Sequence, residues 1–235
     1  MPDLNQQIAE NVSRVRERMA DAAHRSGRDI RSVRLVAVTK YVGADEARAL
    51  LAAGCYELGE SRPQELWKKS GLVTDAAVRW HLIGHLQRNK VRRTLSSVEL
   101  IHSGDSLRLL EMIDAEAARD GTTAEVLLEV NISGDPDKHG FAPDQMSGAL
   151  PAIAQLPHVK VLGLMAMAAR GTDCATARAD FGCLRSLRDR LHDLRVPGIS
   201  LEELSMGMSG DFETAIEEGA TIVRVGKALF SGVQP

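Results

Sequence analysis

The chain has 235 residues, 44% hydrophobic and 26% charged, with a formal net charge of −3, so it can bury a sizeable core but carries no basic field for a nucleic-acid backbone. Its three cysteines, Cys55, Cys174 and Cys183, include no CxxC pair, which argues against a disulfide framework or a zinc knuckle. With neither a secretory leader nor an apolar run of about 18 residues, a soluble cytoplasmic protein without a membrane partner is expected.

From Asp3, apolar residues Leu4, Ile8, Val12, Val15 and Met19 recur at helical spacing, with Asp3 placed to cap the start and Gly27 to end the helix. Val33 to Thr39 reads as a strand buried on both faces, with Lys40 at its carboxyl end. A regular alternation follows. Helix Ala44 to Ala53 precedes strand Cys55 to Leu58, and helix Pro63 to Lys69 precedes strand Val78 to Ile83. Helix Leu86 to Leu95 leads to strand Val98 to His102, and helix Ser106 to Arg119 to strand Ala124 to Asn131. After a polar loop, Ile132 to Gly140, a helix reaches Leu156 and strand Val159 to Met165 follows. A long helix spans Thr176 to Leu194, then come strand Leu201 to Leu204, helix Asp211 to Glu218 and strand Thr221 to Val225. Eight strands separated by helices, with no linker, predict one domain, a (β/α)8 barrel with an extra N-terminal helix. A doubly wound open sheet is the alternative, but no Gly-x-Gly-x-x-Gly follows the first strand.

Barrels place their sites at the carboxyl ends of the strands. There the strands deliver Lys40, Ser61, His85, His102, Asn131, Met165, Ser205, Gly207, Arg224 and Gly226. An amine closing a buried strand is desolvated, which lowers its pKa and makes it a nucleophile for an imine. Ser205 to Asp211, rich in glycine and serine and leading into a helix, predicts an anion nest for a phosphate. An imine-forming amine, a phosphate nest and Arg224 between them describe a holder for pyridoxal 5'-phosphate. A guanidinium only donates, so it would keep the pyridine nitrogen unprotonated and the ring a weak electron sink. A plainer role for Arg224 is an ion pair with Glu217 or Glu218. His81 and His85 straddle a strand and its turn, and core packing is expected for His81. Asp135, Asp137 and His139 fit no cation motif. No metal site is predicted.

Ala37-Val38-Thr39-Lys40, Trp80-His81-Leu82-Ile83-Gly84, Leu86-Gln87-x-Asn89-Lys90, His102-Ser103, Lys138-x-Gly140-Phe141, Leu204 to Asp211 and Val223-Arg224-x-Gly226 together resemble the YggS-type pyridoxal phosphate homeostasis proteins. The resemblance covers nearly the whole chain. It implies an alanine-racemase-like barrel with the cofactor as an aldimine on Lys40, the ring nitrogen facing Arg224, and the phosphate on Ser205, Gly207 and Gly226. Ser61, Asn131 and Met165 complete the expected cofactor-facing set. Ser61 stands where the family usually has Asn, and Tyr41-Val42 replaces a more polar pair.

The function so implied is non-catalytic carriage of pyridoxal phosphate by a monomer, with apo enzymes as possible recipients. An amino-acid racemase is the alternative, but it needs a second base, usually a tyrosine from an added domain, and the tyrosines here are Tyr41 and Tyr56. A cofactor-free lysine aldolase leaves the distance between Lys40 and the nest without a purpose.

Overall fold

The computed structural model describes residues 3–169 and 173–233. The strands are β1 (Arg34–Val38), β2 (Glu57–Glu60), β3 (Arg79–Leu82), β4 (Leu100–Gly104), β5 (Ala124–Glu129), β6 (Val159–Met165), β7 (Ile199–Ser205) and β8 (Ile222–Val225). They close in sequence order into a parallel barrel, β8 pairing with β1 from Arg34↔Ile222 to Ala37↔Val225, so the open-sheet alternative falls. The helices are α1 (Leu4–Arg25), α2 (Ala44–Ala52), α3 (Pro63–Leu72), α4 (Val91–Leu95), α5 (Leu107–Asp120), α6 (Met146–Ile153), α7 (Cys174–His192) and α8 (Phe212–Glu217). None of the described helices is long and apolar enough to cross a membrane.

Most of the apolar core lies between the strands and the helices. A smaller cluster, Val36, Leu100, Leu127, Met165 and Ile222, fills the barrel interior. Because side chains alternate along a strand, the residues two positions further on, His102, Glu129 and Arg224, face the same interior nearer the carboxyl mouth. That layer is polar where the one beneath it is apolar.

Several boundaries differ from expectation for identifiable reasons. Ser103 and Gly104 continue β4 instead of turning, because β4 and β5 approach so closely that a Cβ on Gly104 would lie 2.8 Å from the Leu127 carbonyl oxygen. The helix expected from Leu86 begins only at Val91, after a 3-10 turn at Arg88–Lys90, with Leu86 buried before it. Asp3 occupies the position before α1 but makes no side-chain cap, and Gly27 (φ 69°) lies just beyond the helix.

Helix α1 lies against α2 and α8 and is tied to the far end of the chain. Asn11 Nδ2 donates to the carbonyls of Leu229 (3.0 Å) and Ser231 (2.9 Å). Beyond the helix, Arg28 donates to the carbonyls of Ile216 and Ala220, both at 2.8 Å.

Candidate functional site at the carboxyl mouth of the barrel

Arg224 is buried on β8 and donates from Nη1 to Ser205 Oγ (2.6 Å) and from Nη2 to the Ala166 carbonyl (3.0 Å). Burial lowers its pKa to about 10, opposed by the negative charges of Glu129 and Asp211, so it stays cationic at neutral pH. The ion pair with Glu217 or Glu218 does not form: those carboxylates meet Arg25, Arg178 and Arg185 at the surface. Behind Ser205 a buried chain continues. His102 Nδ1 lies 2.9 Å from Ser205 Oγ, His102 Nε2 lies 2.9 Å from His81 Nδ1, and His81 Nε2 lies 3.7 Å from Glu57 Oε2. His81 is therefore part of a polar chain and not only of the packed core.

The buried amine expected at Lys40 is a correction. Strand β1 ends at Val38, Thr39 still pairs with Gly59 (2.9 Å), and Lys40 sits in the following turn, exposed. Its Nζ lies 4.9 Å from the centre of the Tyr41 ring. Past Thr39 the chain turns out of the sheet, the Thr39 carbonyl accepting from Lys69 Nζ (2.7 Å) and the Val42 N–H (3.0 Å), so the burial argued from the apolar run stops short of Lys40. The buried amine near this strand end is Lys69, on α3. It donates to the Thr39 carbonyl (2.7 Å) and to Glu60 Oε1, which also accepts from Thr39 Oγ1 (2.8 Å). Lys138 is likewise committed, to Ser133 Oγ and the Ala168 carbonyl, both at 2.9 Å.

The glycine-rich stretch folds as a tight loop between β7 and α8. Gly207 has φ 91°, and a Cβ there would come 2.5 Å from the Ala215 Cβ, so both conformation and space require glycine. Ser209 Oγ accepts from the backbone N–H groups of Gly226 (3.2 Å) and Ala228 (3.4 Å), which therefore point at one oxygen. Ser205 is the last residue of β7, fully buried, with its hydroxyl between Arg224 and His102. Asn131 donates to the Asp135 carbonyl (2.8 Å) within its own loop. Met165 is buried in the interior cluster. Ser61 is half-buried and lies against Gly84, where a Cβ would be 2.3 Å from the Ser61 carbonyl oxygen.

Glu129 was not singled out from sequence, although its alternation with Leu127 places a carboxyl in the interior. Burial first, then Asp105, pushes its pKa up to about 7 against the pull of Arg224 and Lys138. A carboxyl raised this way binds its proton more tightly folded than unfolded, so stability is highest below its unfolded value and falls as pH rises to about 7. Glu129→Gln should remove this loss, worth at most ~3 kcal/mol for the full shift. Urea unfolding of the ligand-free protein and the variant at pH 5.5 and 8 checks it: the buried histidines act alike in both proteins, so over that interval the variant should gain about 2 kcal/mol relative to the unsubstituted chain.

His85, Asp105 and His139 bring ligand-type atoms within 4.8 Å of one another. Yet the two imidazole rings are stacked, 4.1 Å between centres and 14° from parallel. One ion cannot lie in both ring planes, so this arrangement is not a preformed metal site. A cavity of about 840 Å³ lies at the opposite, amino-terminal end of the barrel, lined by Arg34, Tyr56, Glu57, Arg79 and Glu99 among others. The chemistry gathered at Lys40 and Arg224 does not face it.

The family model for the alanine racemase N-terminal domain matches residues 5–234. The pyridoxal phosphate homeostasis protein of Aquifex aeolicus is 41% identical over 221 residues, covering 94% of this chain and 96% of that one. The chain belongs to the pyridoxal phosphate homeostasis protein family. Among solved structures, that of PipY from Synechococcus elongatus with PLP bound aligns with a TM-score of 0.84 and 36% identity, over 95% of this chain and 99% of that one. An alanine racemase from Clostridium difficile shares the fold alone, at 13% identity and a TM-score of 0.75, over 96% of this chain and 56% of that one.

Proposed function

We propose that the carboxyl mouth holds pyridoxal 5'-phosphate and that the chain is a carrier or regulator of this cofactor, not a catalyst. The observation that carries the reading is a buried, donor-only Arg224 on β8 next to the strand that ends before Lys40, an amine that makes no side-chain hydrogen bond among the described residues. The cofactor supplies a carbonyl that such an amine can join covalently. Lys69 and Lys138 are poorer choices because their amines are held by carbonyl or carboxylate oxygens. A phosphate fits where Ser209 Oγ now collects the Gly226 and Ala228 N–H groups, with Gly207 and Gly226 giving close backbone approach. This moves the hydroxyl contact from Ser205 to Ser209 and leaves Ser205 to support Arg224.

Arg224 would face the ring nitrogen and, being a donor with no acceptor atom, leave that nitrogen unprotonated. Neither tyrosine suits a racemase's second base: Tyr41 lies beside Lys40 and Tyr56 lines the cavity at the other end of the barrel. We assign the chain to the cytoplasm as a monomer and apo enzymes requiring the cofactor as its recipients.

Lys40→Ala should abolish the cofactor label that borohydride fixes on the protein, without unfolding it, since the exposed amine meets only the exposed Tyr41 ring. Peptide mapping of the reduced protein reads this directly, and a label on Lys69 or Lys138 would overturn the assignment. Turnover of alanine, serine, glutamate or lysine at about 1 per second or more would replace the carrier reading with an enzyme.

A further inference from the structure

The interior chain from Glu57 to Arg224 lies behind the cofactor site and joins it to the opposite end of the barrel. Every link is set by what its neighbour can do. Arg224 carries no acceptor, so Ser205 Oγ receives the 2.6 Å bond, and the serine's own proton must go elsewhere. In this fully buried position the other partner is His102 Nδ1, at 2.9 Å. If Nδ1 accepts, the proton of a neutral His102 is on Nε2, aimed at His81 Nδ1 at 2.9 Å. His81 then carries its proton on Nε2, facing Glu57 Oε2 at 3.7 Å, a buried carboxylate oxygen with no hydrogen bond of its own.

The opposite direction fails at both ends. His81 Nδ1–H would donate to His102 Nε2, and His102 Nδ1–H to Ser205 Oγ, which would then accept twice and leave its own proton without a partner in a dry interior. At the other end a lone pair on His81 Nε2 would face the lone pairs of Glu57. Burial of unpaired polar atoms is costly, so one direction is selected. Both rings stay neutral, as the relay requires. Burial is the main reason, reinforced at His81 by the charges of Arg34 and Arg79 and at His102 by those of Arg224 and Arg34.

We propose that Glu57, His81 and His102 are positioning residues of the cofactor site, forming with Ser205 a one-way hydrogen-bond relay through the barrel that fixes the orientation of the Arg224 guanidinium. The inference rests on the proposed cofactor reading for what Arg224 faces, but not for the relay itself. With Nη1 held by Ser205 and Nη2 by the Ala166 carbonyl, the guanidinium plane is fixed before any ligand arrives. Its remaining N–H groups are thereby presented without reorganisation.

Long-range proton–nitrogen NMR of the 15N-labelled, ligand-free protein at pH 7 tests the relay. Both His81 and His102 should carry their proton on Nε2, and a proton on Nδ1 of either ring would overturn the proposal. Positioning is tested with pyridoxal phosphate as the probe, below the melting temperature of each variant. His102→Leu, which removes the acceptor for Ser205, should weaken retention about tenfold and shift the absorbance band of the bound cofactor. His102→Gln, whose amide oxygen can accept the same proton, should restore most of both. A destabilised but correctly aimed site would not move the band, so an unchanged band and affinity in His102→Leu would also overturn the proposal. An unsubstituted protein that binds no pyridoxal phosphate would instead sink the proposed function, and is told apart because the tautomers are read without cofactor.

Discussion

Replacing Lys69 by Met is expected to lower the unfolding free energy by about 3–5 kcal/mol, the usual penalty for leaving one partner of a buried ion pair without the other. Both members are almost completely withdrawn from water, with side-chain exposures of 5% for Lys69 and 0% for Glu60. The remaining contacts to Glu60, from Thr39 Oγ1 at 2.8 Å and the Ser61 N–H at 3.3 Å, do not neutralise its charge. Lys69→Met with Glu60→Gln should recover most of the loss, because the orphaned charge is then gone. Urea unfolding of the two variants measures both numbers. Equal stabilities would mean that the pair is not the source of the effect. Because Lys69 also holds the Thr39 carbonyl, the single variant should in addition loosen the turn that presents Lys40.

Acid should unfold the protein through the two interior histidines. Burial, assisted by Arg34 and Arg79, drives the His81 pKa down to about 3 from an ordinary 6.5, and His102 is held well below its ordinary value. When a base has a folded pKa below its unfolded one, the unfolded chain takes up the proton first. The stability is then fully present above pH 6.5 and is lost as pH falls toward about 3. For His81 alone the loss by pH 4.5 is roughly 3 kcal/mol, from about 1.4 kcal/mol per pH unit. Glu129 acts in the opposite sense over much of this window, so the measurement belongs in the Glu129→Gln background. Urea midpoints there should fall steadily between pH 6.5 and 4.5. A flat profile would mean that water reaches the rings.

The barrel was legible because its strands and helices alternate without a break and each turn carries its own glycine or polar signal. The polar layer at the mouth was legible in part, since Arg224 and His102 at strand ends stand out against apolar runs, whereas His81 reads as core packing. What the residues alone could not show was pairing. That Lys40 leaves the barrel wall goes with the Thr39 carbonyl being taken by Lys69 and the Val42 N–H, not with the composition of Val33 to Thr39. Ser205 and Ser209 look equivalent in one glycine-rich stretch, yet one ends β7 facing the interior and the other lies in the loop beside Gly226. The contact between His81 and His102 follows from the register that sets His81 beside Leu100, two positions before His102. Local pattern carries no information about that register.

The hydrogen bonds from Asn11 to Leu229 and Ser231 join positions 218 and 220 residues apart. Closing so long a loop in an otherwise open chain costs roughly 5 kcal/mol of configurational entropy, far more than two hydrogen bonds return. Once β8 has paired with β1, however, the same positions are already neighbours and the closure is almost free. The tie from Asn11 to the end of the chain is therefore expected to form late in folding, as a latch set after the ring of strands has shut, whereas the packing of α1 on the neighbouring α2 needs no such closure.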